Sequence, residues 1–384
     1  MGPSAAIRVL VLEGPPRERG RIHGETLRAE IRDMISAWKK DIHDDMGMDP
    51  DLFLQQFLAE TDFLPAIRRW TPDLLEEVEG IAEGAGVDFG TILARQLSDE
   101  EPWFRLEKKL PVLLARSEKC SALGTGLRDG HPPIVAQNMD TPAYYDGYQI
   151  LVHVKDPASS LEAFVFTIAG KISLAGLNNR AIGICCNSLL QLNYAQDGLP
   201  EDFIVRGVLA RPTLDDALAF MRRVKHASGQ NYILGGPERV LDLECSANKI
   251  SEFTPSPGAD RVYHTNHPLV NDDQAIWQRR LELAPPDVVQ ATLARSTTQA
   301  RFNTLEELLG DPAETLTVER IKAVLSSHEG PVCVDRGGSR ITLGSLIMEL
   351  SPSPALHLSP GPPCTTPFST YTFHSASLRD SIEG

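Results

Sequence analysis

Apolar residues recur at intervals of three and four through the first hundred or so positions, then give way to short alternating bursts. From about Gly20 to Asp44 the stripe Leu27, Ile31, Met34, Ile35, Trp38 and Ile42 predicts an amphipathic helix. Between Pro50 and Trp70, Leu52, Leu54, Phe57, Leu58 and Phe63 predict less sharply cut helices. Pro72 suits the first turn of a helix through Leu75, Val78 and Ile81, which Gly84-Ala85-Gly86 ends. Asp88 is placed to cap a short helix from Ile92 to Leu97, ahead of a polar, proline-bounded loop at Ser98 to Pro102. A strand at Ala5 to Leu12 precedes all of this, so residues 13 to about 110 read as mostly helical.

After Cys120 the texture is that of antiparallel sheet. Ile134 to Ala136, Tyr148 to Lys155, Ala163 to Ile168 and Ala181 to Cys186 are short β-branched and aromatic runs divided by Gly, Pro, Asn and Asp. Thr213 opens a helix with the stripe Leu214, Ala217, Leu218, Met221 and Val224. Strands return at Asn231 to Leu234, Val240 to Cys245 and Lys249 to Phe253. Helices follow at Asp272 to Leu283, Thr304 to Leu309 and Thr317 to Ser327, then strands at Arg340 to Glu349 and Ser369 to Phe373. Helices and strands come in blocks, so the fold class is α+β, with helical layers against antiparallel sheets.

Composition narrows the partners. A net charge of -15, from 52 acidic against 37 basic residues, repels a polyanion over most of the surface and argues against nucleic acid. No run of eighteen apolar residues occurs, so no membrane span is expected. The N-terminal apolar run holds Arg8 and lacks a basic leader, which fits a strand better than a signal peptide. Six cysteines are too sparse for a disulfide scaffold, and a reducing cytoplasm is the expected location.

Four polar clusters interrupt the apolar strands of the second part: Cys120, Gln137-Asn138-Met139-Asp140, Asn187-Ser188 and Tyr263-His264-Thr265-Asn266-His267. A hairpin through Ile134-Val135-Ala136 could return Asp140 to the side of Cys120. Each cluster has a plainer reading. A thiol is often just a small buried hydrophobe, and Asn138, Asp140 and Asn187-Ser188 are common turn formers. His264 and His267 lack the further ligands that a zinc site requires, so no metal is expected, and Cys185-Cys186 read as core.

Taken together the motifs resemble the acyl-coenzyme A:6-aminopenicillanate acyltransferase family of N-terminal nucleophile (Ntn) hydrolases, across nearly the whole chain. Glu18-Arg19-Gly20 with Gly24, and Leu75 through Val87, are similar to the family's first signatures. Cys120-Ser121 takes the nucleophile's place, Gln137-Asn138-Met139-Asp140 that of Gln-Asn-Trp-Asp, and His264-Thr265-Asn266-His267 matches His-Thr-Asn-His. Gly361-Pro362-Pro363-Cys364 also fits. The resemblance implies an αββα sandwich of two stacked, mainly antiparallel sheets between helical layers. It further implies a precursor cut between Lys119 and Cys120 into an α chain, 1–119, and a β chain, 120–384, that remain associated in one domain.

In that scheme Cys120 is the nucleophile and its new α-amine the base. Asp140 orients the amine and Asn266 donates to the oxyanion, with Asn187, Asn138 and His264 in support. No cofactor is implied, and the sequence is compatible with a homo-oligomer. Lys119 stands where the family has glycine, and Met139 and Thr141 stand where it tends to have tryptophan. Those two, with Tyr144, are the expected substrate pocket. The first expectation is hydrolysis of a small N-acyl amine or amino-acid-derived amide through a thioester. Acyl transfer from coenzyme A is the alternative, and an inactive Ntn-fold binding protein is a second.

Overall fold

The computed structural model describes residues 7–108, 120–256 and 258–373. Lys119, and with it the expected cleavage bond, lies outside the described residues. The first strand, β1 (Arg8–Glu13), leads into seven helices: α1 (Pro16–Thr26), α2 (Arg28–Met46), α3 (Pro50–Glu60), α4 (Leu64–Trp70), α5 (Pro72–Ala85), α6 (Phe89–Gln96) and α7 (Glu101–Lys108). The single helix expected from Gly20 to Asp44 is broken at Leu27. The glycine side of α1 lies backbone to backbone on α5, whereas α2 turns Ile31, Met34, Ile35, Trp38 and Ile42 into the core. Asp88 caps α6 as expected, accepting from the Thr91 amide at 3.0 Å.

The second part contributes β2 (Ser121–Thr125), β3 (Ile134–Pro142), β4 (Gln149–Asp156), β5 (Leu161–Ile168), β6 (Ala175–Asn178) and β7 (Gly183–Ser188). Then come α8 (Glu201–Leu209), α9 (Leu214–Arg223), β8 (Gln230–Gly235), β9 (Val240–Cys245), β10 (Ile250–Phe253) and β11 (Arg261–His264). Helices α10 (Ala275–Leu283), α11 (Pro286–Arg295), α12 (Thr298–Leu309) and α13 (Val318–Leu325) precede β12 (Arg340–Glu349), β13 (Ala355–Ser359) and β14 (Ser369–Thr372). Asn187-Ser188, which could have been a turn, ends β7 as paired strand, with Asn187 opposite Asn231.

The strands form an eight-stranded sheet in the order β1-β4-β5-β6-β7-β8-β9-β10 and a six-stranded sheet in the order β11-β2-β3-β12-β13-β14. Among the strands of the described residues, β1–β4 is the one parallel pairing. The sheets lie face to face. A side chain on Gly235 of β8 would run into Leu350 and Val135, and one on Gly344 of β12 into Phe166 of β5, so glycine sets the closeness of the layers at both points.

Helices cover both outer faces. On the large sheet, Asn178 Nδ2 donates to the carbonyls of Leu209 and Arg211 at the end of α8. Gln96 of α6 exchanges hydrogen bonds with Gly170 and Ile172 beyond β5. On the small sheet, Leu123, Ala136 and Ile347 pack under Phe302, Leu305, Ile321 and Leu325 of α12 and α13. The molecule is therefore an α+β sandwich of four layers, αββα. Among the described residues no helix is long and apolar enough to cross a membrane.

Candidate active site

Cys120 stands immediately before β2, and the β2–β3 hairpin sets its surroundings. Ser121 pairs with Asn138 and Ala122 with Gln137, so the strand that leaves the turn at Ile134 returns Met139 and Asp140 to the Cys120 end. Cys120 and Asp140 line one cleft of about 1070 Å³, counting its open mouth. Met139, Thr141 and Tyr144 line it too, so all three residues expected at the pocket lie on its wall. Asp140 is buried at 1% exposure. Its carboxylate accepts from Thr342 Oγ1 at 2.6 Å, and its backbone carbonyl accepts from Arg340 at 2.8 Å.

Asn266 does not line the cleft; a residue absent from the sequence reading ties it to Cys120. Arg301 of α12, 1% exposed, donates from Nη1 to the Cys120 carbonyl and, at 3.1 Å, to Ser121 Oγ. Its Nη2 donates to Asn266 Oδ1 at 2.9 Å, and Asn266 Nδ2 donates onward to the Ser188 carbonyl at 3.1 Å. Burial lowers the Arg301 pKa to about 10, against the pull of Asp140 and Cys120, which leaves it a cation at neutral pH. The missed signal is periodicity. Arg301 shares the buried face of Phe302, Leu305 and Leu309, but α12 begins at Thr298 rather than at the expected Thr304, which had left Arg301 in a connection.

Two expected supporting residues are used elsewhere. Asn187 gives its amide hydrogens to Asn231 Oδ1 at 3.4 Å and to the His264 carbonyl at 3.2 Å, and its oxygen accepts from Gln137 at 3.1 Å. Its donors are spent on joining β7, β8 and β11, so it offers none to an oxyanion. Asn138 faces away from the cleft, and its Nδ2 holds the carbonyls of Leu325 and Val332 at 2.7 and 2.9 Å, fastening α13 to β3. Alternation along β3 sets Asn138 on the face opposite Gln137 and Met139, the face it shares with Asp140, which lies further along the strand at the Cys120 end.

His264 is a buried brace rather than a group facing the cleft. Its Nε2 meets Glu244 Oε1 at 2.9 Å and its Nδ1 the Thr265 carbonyl at 2.8 Å, so both ring nitrogens face acceptors. Burial opposes its charge, but Asp242 and Glu244 outweigh burial and the pKa is raised. Glu244 also accepts from the amides of Val270 and Asn271, which fixes the loop after Asn266.

The far wall of the cleft is charged, and it comes from elements that the sequence marked only as helix or loop. Arg105 of α7 pairs with Glu101 at 2.9 Å and with Asp41 and Asp45 of α2 at 3.2 and 3.1 Å. Lys171 pairs with Asp202 of α8 at 3.0 Å. The adjacent cysteines point to opposite sides of β7. Cys185 Sγ approaches the Ala136 carbonyl at 3.9 Å between the sheets, and Cys186 Sγ meets Glu201 Oε1 at 2.9 Å at the cleft wall. Burial pushes both the Cys186 thiol and the Glu201 carboxyl well up, which favours their protonated forms.

No curated protein matches this chain. Two solved structures of conjugated bile acid hydrolase from Clostridium perfringens, one a mutant and one a variant, resemble it with TM-scores of 0.43 and 0.40. Identities are 9% and 11%, over 67% and 69% of this chain and 94% and 100% of theirs. The family model described as acyl-coenzyme A:6-aminopenicillanic acid acyl-transferase matches residues 127–341, a span that holds Asp140, Asn266 and Arg301 and begins just after Cys120. The chain therefore belongs to the acyl-coenzyme A:6-aminopenicillanic acid acyltransferase family, as an amide-cleaving hydrolase or acyltransferase.

Proposed function

We propose that this chain is a self-processing cysteine amidohydrolase in which Cys120 is the nucleophile. The observation that carries the reading is the constellation around Cys120: Asp140 on the same cleft, and Arg301 bridging the Cys120 carbonyl to Asn266. In the precursor the Cys120 thiol attacks the Lys119 carbonyl and the peptide nitrogen leaves, giving a thioester. Water then hydrolyses that thioester, leaving a carboxylate on Lys119 and an α-amine on Cys120. An α-amine with a pKa of about 7.7–8.0 can take the thiol proton near neutrality, so one residue supplies nucleophile and base.

In turnover Cys120 Sγ attacks the substrate amide. The amine gives its proton to the leaving nitrogen, and water releases the acid from the thioester. Asn266 Nδ2 spends one hydrogen on Ser188, and the second is assigned to the oxyanion. Asp140 orients the new amine, and residues 1–119 and 120–384 act as one domain.

Denaturing mass spectrometry tests processing. The wild-type protein is expected as two pieces, 1–119 and 120–384, and Cys120→Ala as one intact chain without activity. An intact, fully active wild-type chain would sink the self-processing step. The family's description favours a second reading, in which the thioester passes to an amine instead of water. Incubation with an acyl-coenzyme A and amines separates the two by whether acylated amine or free acid accumulates.

A further inference from the structure

Among the cations on the cleft wall, Arg95 differs from the rest. Arg105 has three carboxylates, Lys171 has Asp202, and Arg340 donates to the Asp140 carbonyl. Arg95 is 1% exposed, yet among the described residues no carboxylate or carbonyl pairs with any of its three guanidinium nitrogens. Its carbon lies 5.4 Å from the centre of the Trp38 ring and 5.0 Å from that of Tyr145. Those ring faces, and a position in the last turn of α6, offset part of the cost of burying the charge. The Tyr145 side chain adds a polar contact, but among the described residues no anion pairs with the guanidinium, and a buried cation without one is expensive.

The carboxylates nearby are committed. Asp41 and Glu101 hold Arg105, Asp202 holds Lys171, and Asp99 accepts from Ser188 Oγ at 3.2 Å. The anion that Arg95 lacks is therefore one that enters the cleft. Stacking against rings leaves the edge of the guanidinium as its open face. That edge matches the two oxygens of a planar carboxylate better than a tetrahedral phosphate. Apolar side chains line another part of the same cleft: Met139, Ile168, Leu174, Leu190 and Leu343.

We infer that Arg95 is the subsite for a substrate carboxylate, so that the amide cleaved at Cys120 is an N-acyl amino acid with an apolar acyl group. The inference rests on Cys120 being the reacting end of the same cleft. Binding and cleavage are read separately, so that failure of one is not mistaken for failure of the other.

Calorimetry on Cys120→Ala protein, which cannot turn over, compares N-decanoylglycine with N-decanoylglycinamide, which has the same shape without the charge. The acid is expected to bind at least about tenfold tighter, the factor typical of a charge-assisted pair. That preference should vanish in Cys120→Ala/Arg95→Met and partly return in Cys120→Ala/Arg95→Lys. Equal binding of the two ligands, no binding of either, or a preference that survives Arg95→Met would each overturn the subsite. Should the methionine variant fail to fold, the acid-against-amide comparison in the Cys120→Ala parent still decides. A retained binding preference alongside wild-type protein that cleaves neither ligand would instead count against Cys120 as nucleophile.

Discussion

Arg301 holds three oxygens from two parts of the chain: the Cys120 carbonyl and Ser121 Oγ on one, Asn266 Oδ1 on the other. Arg301→Met would strand the buried oxygens and loosen both ends of the reaction site. A stability loss of about 1–3 kcal/mol is expected in urea melts, with a kcat roughly 10²-fold lower or worse if Asn266 serves the oxyanion. Arg301→Lys should recover part of the stability and less of the rate, because an ammonium cannot span the fork. A variant with lowered stability but unchanged kcat would reduce Arg301 to a brace. Glu100 makes a separate prediction. Burial, with Asp99 adding to it, pushes its carboxyl up to about 8, and Asp242 is pushed the same way to about 7. A raised carboxyl keeps its proton in the folded state while the unfolded chain releases it. This contribution is complete below the ordinary carboxylate range and lost as pH climbs towards 8. Wild-type Tm should therefore fall between pH 5 and 8.5, and Glu100→Gln, which mimics the protonated form against Ser228 and the Glu201 amide, should fall less.

Helices α1 and α5 meet through Gly20 and Gly24 on one and Gly80 and Gly84 on the other. A Cβ on any of the four would press into the facing backbone, that of Gly20 into the Glu77 carbonyl. Gly80→Ala should cost about 1–3 kcal/mol in a urea titration, since the helices must separate to admit the methyl. A neutral outcome would mean that the contact yields cheaply. These glycines were visible in the sequence as signature positions; that they face one another was not, because helical spacing reports a face and not its partner. The same boundary divides the rest. The Cys120–Asp140 hairpin, the Asp88 and Thr213 caps and the α5 start were legible because each is local. Helix α8 was not: it is buried on all sides, and Glu201, Asp202 and Arg206 disguise it as a polar stretch. Arg95, Lys171 and Arg301 were illegible for a related reason, since a buried cation is recognised by neighbours remote in sequence. Asn138 and Asn187 show the converse, where a motif located the residues correctly but their hydrogen bonds run to α13 and to neighbouring strands.

At the scale of the molecule, residues before and after Cys120 are interlocked. β1 is the parallel edge strand of the large sheet, pairing Arg8 to Glu13 with Ile150 to Lys155. Glu77 of α5 lies buried between Arg19 of α1 and Arg206 of α8, at 3.0 and 2.9 Å. Burial works against the Glu77 charge, but the two arginines prevail and hold its pKa low. If the chain is cut as proposed, the two pieces are expected to elute as one species in native gel filtration and to part only in denaturant. Arg206→Met should lower the urea concentration at which they separate, because it leaves a buried carboxylate with half its partners. The order of strands in the small sheet also bears on when a cut can happen during synthesis. β3, which carries Asp140, lies between β2 and β12, and Thr342 of β12 holds the Asp140 carboxylate. A chain still emerging from the ribosome has Cys120 long before it has Arg301 or Thr342. Under the proposed self-processing, scission is therefore expected late, after synthesis, and polypeptides that stop short of residue 340 are expected to stay whole.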